Sequence, residues 1–168
     1  MNAELWFKKF YQRYYKDSSI QKLERKKSLT DRQWTKGMES FLRRMASSEG
    51  YSVTPESGVV GNGRIDHKWI KGSRAIVIEH ENWWKGVSRE IEKLCDHAAS
   101  LKVLITYVPD KNFVADSLLI AKNYVAKEID KHPGEFKGEF LLVVCGNDYV
   151  DWTAFQFPLN VQPDPIRI

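Results

Sequence analysis

A continuous apolar run, Val103 to Tyr107, is the feature that most constrains the fold of this 168-residue chain. A strand that is apolar on both faces is typical of a central strand in a sheet covered by helices on both sides. A strand is also predicted over 74–81, and the segment between the two carries apolar residues at helical spacing. A helix that joins two strands in this way makes a right-handed crossover, so the two strands are predicted to be parallel.

The remaining segments add strands and helices around this crossover. Helices are predicted over 3–16, 30–49, 87–100 and 114–131, and further strands over 51–53, 64–70, 140–145 and 152–157. Turn residues separate the first three strands, which are therefore predicted to form an antiparallel meander. The sequence predicts an α/β fold with a mixed central β-sheet flanked by helices. We expect a single domain, 1–168, with a basic N-terminal helical extension (1–29), a core (30–157) and an extended tail (158–168).

The net charge of +4 conceals an uneven distribution along the chain. Residues 1–45 hold 12 Lys/Arg and 5 Asp/Glu, a net charge of +7, and the rest of the chain carries a net charge of −3. A basic segment joined to an acidic body indicates a polyanionic partner such as DNA. An ordinary solvated helical surface would give the same pattern, because charge patterning is a weak signal.

Composition excludes several classes of protein. No apolar run approaches the roughly 20 residues that span a bilayer, and charged residues interrupt the N-terminus from Glu4 onward. Cys95 and Cys145 fit no disulfide framework or metal-ligand spacing, and their apolar neighbours predict buried free thiols. We therefore expect a soluble, cytoplasmic protein with no membrane partner.

Three carboxylates mark the candidate site. Glu79 and Glu81 end the apolar run that begins at Arg74, and Asp66 lies in the preceding strand. Side chains alternate along a strand, so both glutamates point to one face, and Asp66 joins them if the two strands are neighbours. Carboxylates gathered in this way repel one another unless a hard divalent cation lies between them. The residues therefore predict an Mg²⁺ site on a sheet, which suggests hydrolysis of phosphate esters.

The order of these elements and acids resembles the PD-(D/E)XK nuclease superfamily. That core has a helix, three antiparallel strands, a crossover helix and a further strand, and the resemblance covers roughly residues 31–108. Asp66 matches the superfamily's Asp, Glu79 its second acid, and Glu81 the position usually held by Lys. The resemblance implies a restriction-endonuclease-like core and Mg²⁺-dependent hydrolysis of DNA, with Mn²⁺ able to substitute. Asp66, Glu79 and Glu81 would then be the metal and catalytic residues.

The glutamate at position 81 departs from the usual pattern, although some restriction endonucleases of this superfamily carry it. Glu81 would act as a general base or hold a second metal. Lys68 lies two residues after Asp66, on the same face of its strand, and could supply the missing ammonium. Many members add an acid from the helix before the first strand. Glu39 is favoured for this role over Glu49 and Glu56.

Basic residues provide candidate contacts to the phosphate backbone of DNA. They are Arg64, Lys22, Arg25, Lys26 and Lys27. His67 and His80 alternate away from Asp66 and Glu79 and should face the opposite side of the sheet, and His97 and His132 are expected at the surface. Three alternatives remain open: an inactive nuclease-fold module that binds nucleic acid or assembles, a nuclease directed at RNA, and a homodimer that cuts both strands.

Overall fold

The computed structural model describes residues 1–26, 30–54, 65–82, 84–108, 113–131, 138–146 and 151–157. Its helices are α1 (Ala3–Tyr14), α2 (Ser18–Glu24), α3 (Asp31–Ser48), α4 (Val87–Cys95), α5 (Phe113–Leu119) and α6 (Lys127–Asp130). Its strands are β1 (Ser52–Thr54), β2 (His67–Lys71), β3 (Arg74–Glu81), β4 (Leu101–Val108), β5 (Glu139–Gly146) and β6 (Trp152–Phe157). A 3₁₀ turn (Trp84–Gly86) precedes α4, and a π-helical segment (Ile120–Ala126) lies between α5 and α6.

The six strands form one mixed sheet in the order β1 to β6. The first three strands are antiparallel neighbours, β3, β4 and β5 run parallel, and β6 is antiparallel to β5. The crossover is confirmed, because α4 joins the parallel strands β3 and β4. Every residue of β4 is buried, which is why this strand is apolar on both faces. The predicted α/β fold with a mixed sheet flanked by helices is confirmed.

Helices cover both faces of the sheet. On one face, which we call the α1–α3 face, α1 and α3 pack against residues that include Trp69, Ile76 and Ile78. On the other, the α4 face, α4 and the π-helical segment pack against residues that include Val77 and Leu104. Alternation along β3 therefore assigns even-numbered residues to the α1–α3 face and odd-numbered residues to the α4 face.

The helix α1 contributes aromatic side chains to the main core. Trp6, Phe7 and Phe10 have no exposed surface. The ring of Phe10 lies 4.9 Å from that of Trp152 on β6, in the edge-on arrangement that aromatic pairs prefer. The segment that the charge pattern marks as a basic extension thus buries one side against the sheet.

The ends of α3 are as predicted. The Thr30 side chain caps the helix and forms a capping box with Gln33, which pairs donors that would otherwise lack partners. The helix ends before Gly50, whose φ of 74° is a conformation that glycine adopts without strain. None of the helices in the described ranges is both long and apolar enough to cross a membrane.

Two helical predictions differ from the structure. The helix expected over 87–100 ends at Cys95, and the single helix expected over 114–131 is interrupted by the π-helical segment. Ile120, Ala121 and Val125 are nevertheless buried there, so this segment still contributes to the core while its backbone pattern changes. The tail 158–168 lies outside the described residues.

Candidate active site: a carboxylate cluster on the α4 face

Asp66 and Glu79 meet where β2 begins and β3 approaches its end. His67 pairs with Ile78 in the antiparallel ladder, so Asp66, one residue earlier, lies beside Glu79. The Asp66 Oδ2 atom accepts a hydrogen bond of 3.0 Å from the backbone N–H of His80. Glu79 is 1% exposed. The structure thus brings together two of the acids that the sequence singled out, on the α4 face.

The helix α4 adds two residues that the sequence reasoning missed. The Nζ atom of Lys93 donates a hydrogen bond to the Glu90 carboxylate and lies 3.7 Å from Glu79 Oε2. Glu90 is 8% exposed, although most glutamates lie at a protein surface. These residues are three apart on one helix, where side chains share a face. We call Asp66, Glu79, Glu90 and Lys93 the carboxylate cluster.

Burial and mutual repulsion change the protonation of the cluster. Burial is the main cause that raises the pKa of Glu79, to about 10, and the carboxylates of Asp66 and Glu90 raise it further. Burial also raises the pKa of Asp66, although the His80 N–H and nearby Lys93 oppose this change. Burial alone would lower the pKa of Lys93, but Glu90, Glu79 and Asp66 together raise it. Glu79 is therefore protonated at neutral pH, while Lys93 is charged.

Glu81 lies two residues beyond Glu79 on the same face of β3. Its carboxylate approaches Gly86, where an added Cβ would lie 3.0 Å from Glu81 Oε2. Thr106 is its partner on β4, and the buried Thr106 Oγ1 atom has no hydrogen-bond partner in the described part of the chain. Glycine at position 86 therefore leaves room for the Glu81 side chain beside the start of α4.

Lys68 and Glu39, which the sequence suggested as site residues, are not members of the carboxylate cluster. Lys68 pairs with Val77 on β3, so it shares the α4 face with Glu79 but lies further from the end of the strand. Glu39 lies on α3, which packs against the α1–α3 face. The third carboxylate of the cluster comes instead from Glu90, on the crossover helix.

The two other candidates for the fourth acid are Glu49 and Glu56. Glu49, at the end of α3, forms ion pairs with Lys9 and Arg13 at 2.6 Å each and thereby joins α3 to α1. Its pKa is lowered by the hydrogen bond from Lys9 and by Arg13, despite partial burial. Glu56 lies outside the described residues.

The donor chemistry of the cluster fits a hard cation. Glu79 Oε1 is buried and accepts no hydrogen bond from any residue in the described ranges, and oxygen atoms of this kind are what Mg²⁺ and Mn²⁺ bind. Within the described ranges, however, no three His, Cys, Asp or Glu side chains are already arranged as ligands of one metal ion. The Lys93 ammonium contacts two of the carboxylates, and Asp66 accepts the His80 N–H.

The histidines that follow Asp66 and Glu79 face the other way, as predicted. His80 lies on the α1–α3 face, where its Nε2 atom is 2.7 Å from the hydroxyl of Tyr107. His67 is buried on the same face, and neither of its ring nitrogens has a hydrogen-bond partner among the residues that the structure describes. Burial lowers the pKa of His67 to about 4 and that of His80 to about 3. Both rings are therefore neutral at physiological pH.

The expectation that His97 lies at the surface is wrong. His97 is 5% exposed, and its Nδ1 atom lies 2.7 Å from the carbonyl oxygen of Lys93. It thus closes the end of α4 by occupying a carbonyl that has no partner within the helix. His132 lies outside the described residues. The two cysteines are buried free thiols, as predicted.

The predicted nucleic-acid contacts lie apart from the cluster. Lys22 is on α2, Arg25 and Lys26 follow it, and all three are exposed. Lys27 and Arg64 lie outside the described residues. Because α2 packs on α3 and α3 on the α1–α3 face, these cations lie across the sheet from the carboxylate cluster.

The sequence matches no protein-family model and no curated protein.

Proposed function

We propose that this protein is a divalent-metal-dependent nuclease that hydrolyses DNA phosphodiester bonds in the carboxylate cluster. The observation that carries the proposal is the gathering of Asp66, Glu79 and Glu90 on the α4 face, where the Lys93 ammonium contacts the two glutamates. The order α3–β1–β2–β3–α4–β4 supports it, because the PD-(D/E)XK resemblance implies the same order. The restriction-endonuclease-like core is part of this proposal.

Asp66, Glu79 and Glu90 would hold the cation, with Glu81 as the neighbouring acid. When bound, Mg²⁺ or Mn²⁺ would polarise the phosphate and lower the pKa of an attacking water. Glu79 has to lose its proton to become a ligand, since its pKa is raised to about 10. Lys93 would leave its position between Glu79 and Glu90, and its ammonium could then stabilise negative charge on the phosphate. It would thereby take the role that the resemblance assigns to the lysine replaced by Glu81.

The test compares two residues of α4 that belong to the carboxylate cluster with two residues of the same helix that are exposed. Cleavage of duplex, single-stranded and branched DNA, and of RNA, is measured with Mg²⁺ or Mn²⁺ for the wild type, Glu90→Gln and Lys93→Met. Glu92→Gln and Arg89→Met are matched controls, because Glu92 and Arg89 are exposed on the same helix. We expect cleavage that falls at least about a hundredfold in the first two variants and persists in the controls. A wild type that cuts none of these substrates would contradict the proposal.

A non-catalytic nucleic-acid-binding or assembly module is the second candidate. It is favoured by the Lys93 ammonium, which already contacts two of the acidic side chains, and by the absence of a ready three-ligand arrangement in the described ranges. Calorimetry separates the two candidates. The nuclease should bind Mn²⁺ with a heat that Glu79→Gln abolishes, whereas the second candidate should bind DNA and give no heat with Mn²⁺.

A further inference from the structure

A basic groove lies between α2 and α3, across the sheet from the carboxylate cluster. It has a volume of about 590 Å³ and is open to solvent at the surface. Among the described residues that line it none is acidic, and four are cations: Lys22, Lys26, Lys36 and Arg44. The sequence singled out only the two cations near α2. The fold adds Lys36 and Arg44 from the exposed side of α3.

Close packing of the two helices forms the floor of this groove. The α2 residue Leu23 approaches α3 at Gly37, where an added Cβ would lie 2.2 Å from Leu23 Cδ1. A larger residue at position 37 would hold the helices further apart. The contact of the Leu23 side chain with α3 at Gly37 therefore helps to set the separation between the cations of the two helices.

Only one of the four cations has an acidic partner among the described residues. Arg44 donates to Asp17 Oδ2 through Nε and Nη2, at 3.1 and 2.8 Å. For Lys22, Lys26 and Lys36 the described part of the chain provides no ion pair. Their like charges repel one another, which costs free energy unless an anion enters the groove.

The positive surface continues beyond the groove. Arg44 also lines a neighbouring concavity that contains Arg13 of α1, Lys16, which follows that helix, and Asp17, the acidic partner of Arg44. A small anion would be satisfied by two or three adjacent cations, whereas a row of cations along neighbouring helices fits an extended polyanion. Gln33 and Ser40 line the groove between the cations, and such side chains commonly donate to phosphate oxygens.

We infer that the α2–α3 groove binds the phosphate backbone of a nucleic acid, independently of metal and of the carboxylate cluster. A concave wall suits a rod-like polyanion. An anionic membrane is bound instead by a helix that also presents large apolar side chains outward, and Leu23, the apolar residue of the groove, is packed against α3. The groove holds the partner at a distance from the α4 face, so it provides affinity and not chemistry.

The experiment measures duplex DNA binding without divalent ions, as a function of salt concentration. In Lys22→Gln/Lys36→Gln, we expect affinity to fall about tenfold at 0.1 M salt and the slope of log K against log[salt] to decrease by about two. Lys122→Gln/Lys127→Gln is the matched control, because it removes two exposed lysines from the π-helical segment and α6. Its affinity and slope should equal those of the wild type.

Two results would overturn the inference. Equal losses in both double variants would indicate diffuse charge, and a loss of binding to phosphatidylserine vesicles with DNA binding intact would indicate a membrane surface. Thermal unfolding of each variant verifies that it is folded. Cleavage plays no part in this measurement, so failure of the nuclease proposal would leave its outcome unchanged.

Discussion

The ammonium of Lys93 lies 3.7 Å from the carboxyl group of Glu79, which is almost completely buried. Lys93 lowers the pKa of Glu79, but burial and the repulsion from Asp66 and Glu90 outweigh it and raise that pKa to about 10. One cation is thus too few for three carboxyl groups in this place. The stability of the protein should therefore depend on pH and on added cations.

The first prediction concerns Glu79→Gln. In the unfolded chain the Glu79 carboxyl loses its proton near its ordinary pKa of 4.5, whereas in the folded chain it keeps it up to about pH 10. The folded state thus binds more protons between these values, so its stability falls as pH rises, by up to about 1.4 kcal/mol per pH unit. Glutamine removes this dependence. Urea unfolding at pH 5, 7 and 9 should show that the free energy of unfolding of the variant increases relative to that of the wild type as pH rises.

Added Mn²⁺ provides the control for that experiment. A cation that binds the folded state stabilises it by mass action, so Mn²⁺ should raise the unfolding temperature of the wild type at pH 8 and leave Glu79→Gln unaffected. Parallel pH profiles for the two proteins would show that Glu79 is not the group responsible.

The second prediction concerns Gly86→Ala. The added Cβ would lie 3.0 Å from Glu81 Oε2 and 3.1 Å from Glu81 Cδ, so the flexible end of Glu81 should move while the backbone remains in place. We expect the free energy of unfolding to change by less than about 0.5 kcal/mol. Metal-dependent cleavage should fall about tenfold to a hundredfold, because small displacements of catalytic groups are costly. Full activity in Gly86→Ala alongside an inactive Glu81→Ala would contradict this account.

How far the sequence predicted this site depends on the kind of element involved. Asp66 and Glu79 could be paired in advance, because strands alternate and neighbouring strands fix which residues are adjacent. Glu90 and Lys93 could not, because their spacing on a helix is also that of an ordinary surface ion pair. Only the packing of α4 against the sheet shows that they point inward.

The same limit explains the placement of Glu39. Its position beside an apolar stripe predicts that it borders the core, but the pattern does not say which face of the sheet α3 covers. The strand topology was easier to predict from the sequence. The apolar run from Val103 to Tyr107 predicts a central strand, and the structure confirms it.

The third prediction compares two glycines with positive φ. Gly138→Ala would bring a Cβ to 2.4 Å from the carbonyl oxygen of Ala99, whereas Gly72→Ala meets nothing within 4 Å. Gly72→Ala should therefore lose only the about 1–2 kcal/mol that a residue other than glycine costs at a φ of 59°. Gly138→Ala should cost several kcal/mol more, because β5 would have to move away from the segment before β4. Denaturant unfolding of both variants measures the difference, and equal losses would show that the contact is relieved cheaply.

The fourth prediction tests whether α1 belongs to the core or is a removable extension. Phe10→Ala should destabilise the protein by about 3–5 kcal/mol, because the ring is fully buried and contacts Trp6, Phe41 and Trp152. Tyr15→Ala, at a ring that is 39% exposed, is the control and should cost about 1 kcal/mol or less. Unfolding free energies that are equal in the two variants would mean that α1 folds separately from the sheet.

Residues 1–45, which include α2 and most of α3, carry a net charge of +7, and the rest of the chain carries −3, so we expect an electric dipole moment that points through the sheet toward these helices. In the field of a polyanion such a molecule rotates before it makes contact, so its first encounters are made with α2 and α3 leading and the carboxyl groups trailing. Rotational alignment should therefore be part of the association rate, and it should weaken as the Debye length shortens. Whatever reaches Glu79 must then come from a strand that bends round the protein or from a second nucleic-acid segment.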